Sequence, residues 1–259
     1  MDILMVGCGR MGGAMLERWT TQKNAIFTVV DPAATDLPGG VRGLKQAASL
    51  GSDTFDMIII AVKPQMIEDV MPAYDGRLRD GGCMVSIAAG YSLDSLTKAV
   101  GDVPIIRVMP NLPALIGKGA TGLYASEHCS DTHKDAVSDL MAHIGLSVWV
   151  PSEDHLDRLT AVSGSGPGYV FQFIESFTEG AKALGFSDTD AQTLVLQTVL
   201  GAAEMAASTR RPASDLRDSV TSKGGTTQAG LDQLRTEQAL DKLMQQTTQA
   251  AYERAVELR

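Results

Sequence analysis

The run Ser222-Lys223-Gly224-Gly225-Thr226-Thr227 combines residue types that can hold a small acid. Two glycines let the backbone turn sharply and bring its N–H groups near a ligand. The two threonines follow where a new helix is expected to open, near Gln228. Unpaired amides at a helix start attract an anion such as a carboxylate. The Thr226 and Thr227 hydroxyls can hydrogen-bond a neighbouring polar atom. The same pattern also describes an ordinary helix–helix turn with a threonine cap.

A second constellation stands at the other end of the chain. Ile3-Leu4-Met5-Val6 is a short apolar run suited to a buried strand, and Gly7-Cys8-Gly9-Arg10-Met11-Gly12 follows at once. Ala14, Met15, Leu16 and Trp19 then supply a helical apolar face. G-x-G-x-x-G between a strand and a helix is the dinucleotide-binding fingerprint. Gly7 permits the tight turn, Gly9 lets the backbone approach a pyrophosphate, and Gly12 lets the helix pack closely on the sheet.

Further candidates fall just beyond apolar runs. Asp31 ends the strand Ala25–Val30, where an acid can bind the adenine ribose hydroxyls of NAD and would repel a 2′-phosphate. Arg42 is the nearest later cation for such a phosphate, so both NADH and NADPH stay open. Asp31 also fits a turn former before Pro32. Lys63-Pro64 follows the strand Met57–Val62, and Lys63 suits either a ribose or phosphate contact or a solvated loop. Ala88-Ala89-Gly90 ends the strand Met84–Ala88 and leaves room for a flat ring. Asn111, after the strand Ile105–Met109, can bond a carboxamide or make an Asx-turn.

These residues need elements to position them. The chain has 259 residues, 44% of them hydrophobic and 20% charged, which suits a globular protein of one or two domains. A net charge of −9 without a basic cluster argues against nucleic acid. No apolar run is long enough to span a membrane, and the acidic start does not read as a signal peptide. Cys8, Cys83 and Cys129 are odd in number and widely spaced, as expected of reduced thiols in the cytoplasm. His128, Cys129 and His133 lack metal-ligand spacing, so no metal is expected. They belong at the start of a helix over Asp131–Ile144.

Up to about residue 152, strands alternate with helices. Gly119–Ala125 and Leu146–Val150 are the last expected strands. That pattern predicts an α/β fold: an N-terminal Rossmann-type domain with a parallel sheet over residues 1–152. Residues 153–259 then read as an all-helical domain, with helices at Pro167–Leu184, Asp188–Ser208, Pro212–Thr221, Thr227–Leu234 and Glu237–Leu258. The second of these is apolar on more than one face, as a buried helix is. About a hundred residues cannot bury it alone, which predicts a dimer through the helical half.

Five segments in this order carry a resemblance: Val6–Gly12, Ala61-Val62-Lys63-Pro64, Arg107–Ala114, Val162-Ser163-Gly164-Ser165-Gly166-Pro167-Gly168-Tyr169 and Ser222–Thr227. Together they resemble the pyrroline-5-carboxylate reductase family over nearly the whole chain. The resemblance implies a Rossmann domain, a helical dimerisation domain that interleaves with its twin, and dimers that in some members assemble into decamers. It implies reduction by NADPH or NADH of a cyclic imine acid to proline, the last step of proline biosynthesis. The cofactor would meet Gly7, Cys8, Gly9, Arg10, Met11 and Gly12, the segment after Val30, then Ala61, Val62, Lys63, Pro64, Ala88 and Ala89, to which the residue reading above adds Asp31 and Asn111. Glu153 matches a position near bound product. Gly224, Gly225, Thr226 and Thr227 match the substrate loop, with Thr227 catalytic through its Oγ. Lys223 stands where the family usually has Pro, Gly168 where it has Ala, and Asp31 where NADPH users carry neutral or small residues.

A β-hydroxyacid dehydrogenase shares this two-part layout, but its helix-borne lysine pattern is absent around Lys182. A nucleotide-binding sensor without turnover would not need both threonines beside a complete glycine fingerprint.

Overall fold

The computed structural model describes residues 1–21 and 24–259. The chain forms two compact units. The first holds residues 1–165 and the segment Ala251–Arg259; the second is Gly166–Ala250.

The first unit is built on one eight-stranded sheet: β1 (Asp2–Val6), β2 (Ile26–Val30), β3 (Arg42–Leu44), β4 (Phe55–Ile60), β5 (Leu78–Ser86), β6 (Ile105–Met109), β7 (Gly119–Ala125) and β8 (Gly145–Trp149). Its strand order is β3-β2-β1-β4-β5-β6-β7-β8. Strands β1 to β6 run parallel, β7 is antiparallel to β6, and β8 is parallel to β7. The first six follow the doubly wound order of a dinucleotide-binding fold. The sheet is mostly parallel, whereas the alternation of strands and helices predicts a parallel sheet throughout; β7 is the exception. The chain from Met109 to Gly119 is too short for a parallel crossover, which needs a dozen or more residues.

Alternation along the strands sorts side chains onto two faces. Ile3, Met5, Met57, Ile59 and Val85 pack on one face with Met15, Leu16 and Trp19 of α1 (Arg10–Trp19). Leu4, Val6, Ile58, Ile60 and Met84 pack on the other. That face meets Ile67 of α2 (Ile67–Val70), Met71, and Leu96 of α3 (Leu93–Val100). Burial on both faces explains why the central strands read as continuous apolar runs. β4 and β5 stop two residues before the expected ends, leaving Ala61-Val62 and Ile87-Ala88 in the loops beyond them.

Helix α4 (Asp131–Ala142) begins at a Ser130 cap reinforced by His133. His133 Nε2 meets the Gly81 carbonyl oxygen at 2.9 Å, and His128 lies 3.0 Å from Asp102. The histidines thus serve local contacts. Helix α5 (Glu153–Leu159) and a π-turn over Thr160–Gly164 were not expected from sequence. They carry the first unit to Ser165, beyond the composition change near residue 152. The signals were present. Ser152 caps the helix by accepting the His155 N–H, two acids fill its first turn, and Arg158 pairs with Asp154 at 2.8 Å.

The second unit contains α6 (Gly166–Ala183), α7 (Asp188–Thr209), α8 (Ala213–Ser219), α9 (Thr226–Arg235) and most of α10 (Ala239–Glu257). In α7 only Ala191 and Val195 are buried, while Leu194, Leu196, Leu200 and Met205 are exposed. Phe171, Phe173 and Phe177 of α6 are exposed as well. Among the described residues, no helix is long and apolar enough to cross a membrane.

Candidate active site

The carboxyl ends of the central strands converge. Val6 and Ile60 are register partners across β1 and β4, and the backbone continues the pairing past them. Ala61 N–H donates to the Val6 carbonyl at 2.8 Å, Gly7 N–H to Val30 at 2.9 Å, and Ile87 N–H to Ile60 at 3.1 Å. Gly7, Asp31, Ala61 and Ala88 therefore gather at one end of the sheet. Strand order reverses between β1 and β4, the place where open α/β sheets bind ligands.

Gly7 has φ +87°, and a Cβ there would lie 2.8 Å from both the Ala61 carbonyl oxygen and Val62 Cγ1. Only glycine fits that turn. Gly12 is buried, and its Cβ would run into Met5 Cε on the sheet. At Gly9, by contrast, a Cβ would meet nothing within 4 Å. Gly9 is also the N-cap of α1, with no side-chain cap on the helix amides. Open space at an uncapped helix start is what a pyrophosphate requires. Arg10 is exposed beside it, and Cys8 and Met11 are half-buried. Burial, followed by the nearby Asp31 charge, holds the Cys8 thiol above its ordinary pKa.

Asp31 does more than end a strand. One carboxylate oxygen accepts the Cys8 backbone N–H at 2.6 Å, and the other accepts the Ala33 N–H at 2.7 Å. The second contact is the turn-forming role foreseen for it; the first ties it to the glycine turn. Arg42 is engaged elsewhere, with Nη1 2.5 Å from Asp53 Oδ2. Lys45 Nζ donates to the Ala34 carbonyl. Lys63 is exposed just before a short 3₁₀ turn that starts at Pro64.

Asn111 is 7% exposed and makes two side-chain hydrogen bonds. Its Nδ2 donates to the Ser163 carbonyl and its Oδ1 accepts the Ala120 N–H, each at 2.9 Å. Its side chain ties two segments together and does not make an Asx-turn. These bonds use one Nδ2 hydrogen and one Oδ1 lone pair, and an amide offers one more of each.

Glu153 opens α5. Its Oε1 accepts the Leu93 N–H at 2.7 Å and lies 2.5 Å from Arg107 Nη1. Arg107 is 5% exposed and Glu153 half-buried, so a partly buried ion pair fixes the Glu153 side chain. In the sequence Arg107 stands inside a strand and opens one of the five matching segments, with no role of its own. A charge inside an apolar run was the available signal. Asp157, one turn on, is also buried. Burial raises its carboxyl pKa, against the opposing pull of Arg259 and Arg107.

The second unit carries the glycine–threonine loop. Gly224 has φ +71°. Gly225, not a threonine, is the N-cap of α9, so the helix begins at Thr226, slightly earlier than expected. The first helical bond recorded there runs from Ala229 N–H to the Gly225 carbonyl at 3.2 Å. The amides of Thr226, Thr227 and Gln228 precede it. No side chain caps them, and both threonines are exposed. A threonine cap is thus excluded. An open helix start with two hydroxyls remains, as a carboxylate site would require.

Comparison with known proteins agrees with both halves. The family pattern described as pyrroline-5-carboxylate reductase dimerisation matches residues 153–258. The pattern described as NADP oxidoreductase, coenzyme F420-dependent, matches residues 2–90. A pyrroline-5-carboxylate reductase of Pseudomonas aeruginosa is 39% identical, with 99% of this chain and 96% of that protein covered. The structure of a pyrroline-5-carboxylate reductase from Coxiella burnetii superposes with a TM-score of 0.91 at 33% identity, covering 99% of this chain and 97% of that one. That of Plasmodium falciparum pyrroline carboxylate reductase with NADP bound gives 0.84 at 27% identity, covering 100% and 98%. With a glycine turn shaped for a dinucleotide, an open helix start beside paired threonines, and relatives of this identity along its length, the chain belongs to the pyrroline-5-carboxylate reductase family.

Proposed function

We propose that this chain reduces 1-pyrroline-5-carboxylate to L-proline with NADPH or NADH, the last step of proline biosynthesis. The observation that carries the cofactor half is the Gly7–Gly12 turn, with open space at Gly9 and an uncapped helix behind it. When bound, the nicotinamide cofactor supplies the hydride that reduces the C=N carbon. The protein's own task is to bind and orient. In our reading Gly7, Cys8, Gly9, Arg10, Met11 and Gly12 present backbone to the pyrophosphate. Asp31 meets the adenine ribose, Ala61, Val62, Lys63 and Pro64 flank the dinucleotide, Ala88 and Ala89 accept the flat ring, and Asn111 bonds the carboxamide.

The amides that follow Gly224 and Gly225 hold the substrate carboxylate. Thr227 Oγ hydrogen-bonds the ring nitrogen as the imine becomes a secondary amine. A cyclic imine takes a proton readily, so the site needs no strong acid, and orientation supplies much of the rate. In this reading Glu153, held by Arg107, is a further substrate-binding residue. We keep the functional division at 152/153. The uncovered apolar faces of α6 and α7 support a homodimer through the helical region. Three free cysteines are consistent with a cytoplasmic setting.

The Asp31 carboxylate, held in place by two amides, and an Arg42 already paired with Asp53 support substantial use of NADH. The test is oxidation of NADH and NADPH, followed at 340 nm with the imine acid at equal cofactor concentrations. We expect turnover with both. Asp31→Ser should shift the ratio toward NADPH by about tenfold, since it removes a charge that repels a 2′-phosphate. An unchanged ratio would detach Asp31 from cofactor choice.

A further inference from the structure

The end of α10 reaches the loop that follows β5, a contact the chemistry above leaves unexplained. Gly90 has φ +67°, and a Cβ there would lie 2.8 Å from the Leu258 carbonyl oxygen and 3.1 Å from Leu258 Cβ. Backbone meets backbone there, and only glycine permits it. Two side chains fasten the same end of α10 to α5. The Tyr252 hydroxyl donates to Asp154 Oδ1 at 2.5 Å. Arg259 Nη1 lies 3.0 Å from Asp157 Oδ2. That approach is a charge pair, not a hydrogen bond, because Asp157 Oδ2 has no partner of hydrogen-bond geometry. A buried carboxylate in that position needs a nearby cation.

Asp154 and Asp157 are one turn apart on α5, and Glu153 on the same helix accepts the Leu93 N–H. Leu93 is three residues past Gly90. The contacts therefore close a ring: Gly90 to Leu258, Arg259 to Asp157, Glu153 to Leu93, and back to Gly90. The guanidinium of Arg158 also lies 5.7 Å from the centre of the Tyr252 ring and steadies it. Every member of the ring belongs to the first unit.

We propose that residues 252–259 form a strap that fixes the Ala88-Ala89-Gly90 loop for the nicotinamide cofactor, with Arg259 and Tyr252 as positioning residues. The inference rests on the reading that Ala88 and Ala89 meet the cofactor. Fixing the loop before binding removes an ordering cost that would otherwise weaken affinity.

Hydrogen exchange of the segment 86–92 tests both levels in the full-length protein. In the wild type, NADPH should slow exchange there; if it does not, the loop is no cofactor site and the proposal falls with that reading. In the cofactor-free Arg259→Gln variant the same segment should exchange faster, while strands β1 and β4 keep their protection. The Kd for NADPH should rise about threefold or more, in the range of remote positioning effects, and Arg259→Lys should restore it. Tyr252→Phe removes a single hydroxyl bond and serves as the milder variant should Arg259→Gln fail to fold. It should move exchange and Kd the same way by less. Unchanged exchange at 86–92, or faster exchange with unaltered Kd, overturns the strap.

Discussion

Thr227 and Glu153 are asked to do different things, and their substitutions should fail differently. Thr227 is exposed at the start of α9, so its removal should leave the fold intact. We expect Thr227→Ala to lower kcat/KM about tenfold or more, about 1–3 kcal/mol for one polar contact to the reacting nitrogen. Steady-state kinetics at matched melting temperature decide this, and an unchanged kcat/KM would remove the hydroxyl from the reaction. Glu153 compensates a buried guanidinium. Glu153→Ala leaves Arg107, 5% exposed, without its partner. Breaking a buried pair from one side costs about 3 kcal/mol or more. Urea unfolding should show that loss, and a change below about 1 kcal/mol would mean that water or Asp157 compensates Arg107. The glycine turn and the two open helix starts were legible because Gly7, Gly9, Gly12, Gly224 and Gly225 set them locally. The contacts of Asn111 to Ser163 and Ala120 were not, since no local pattern reveals partners set by the packing of distant segments.

At the scale of elements, the β1–α1 turn carries the sharpest expectation. Gly7→Ala would force an alanine into positive φ and bring its Cβ against the Ala61 carbonyl. Left-handed backbone alone costs about 1–2 kcal/mol for an L-residue. The turn would shift to escape the collision, and we expect the Kd for NADPH to rise at least about tenfold. Calorimetric titration alongside circular dichroism checks this; native affinity in a folded variant would mean that the turn is not the pyrophosphate site. The central strands were legible within about two residues because burial on both faces leaves continuous apolar runs, except that β5 begins at Leu78, six residues before the expected Met84, through a mostly exposed polar stretch. β3 was missed since Arg42-Gly43-Leu44 is short and mostly exposed. The reversal of β7 was missed for another reason. Strand direction depends on connection length, and the short link after Met109 already held that information. α5 is a seven-residue helix marked mainly by its cap and charges, so apolar periodicity does not reveal it.

For the whole molecule, the two units differ in how well they satisfy themselves. The first buries both faces of its sheet, whereas α7 of the second keeps Leu194, Leu196 and Leu200 exposed beside the uncovered phenylalanines of α6. An apolar surface of that kind marks an interface. Sedimentation at micromolar concentration should give at least a dimer, and Leu200→Glu should dissociate it with loss of activity. A monomeric wild type with full turnover would refute the dimer. The central claim is that this chain delivers hydride from a nicotinamide to the C=N carbon of a cyclic imine acid. Its most direct test follows the transferred atom. The enzyme is supplied with NADPH or NADH carrying deuterium at the transferable C4 position and with 1-pyrroline-5-carboxylate, and the product is analysed by mass spectrometry. The account predicts L-proline heavier by one deuterium, formed in step with cofactor oxidation. Cofactor oxidation without labelled proline, or none at all from protein that binds the cofactor, would contradict it.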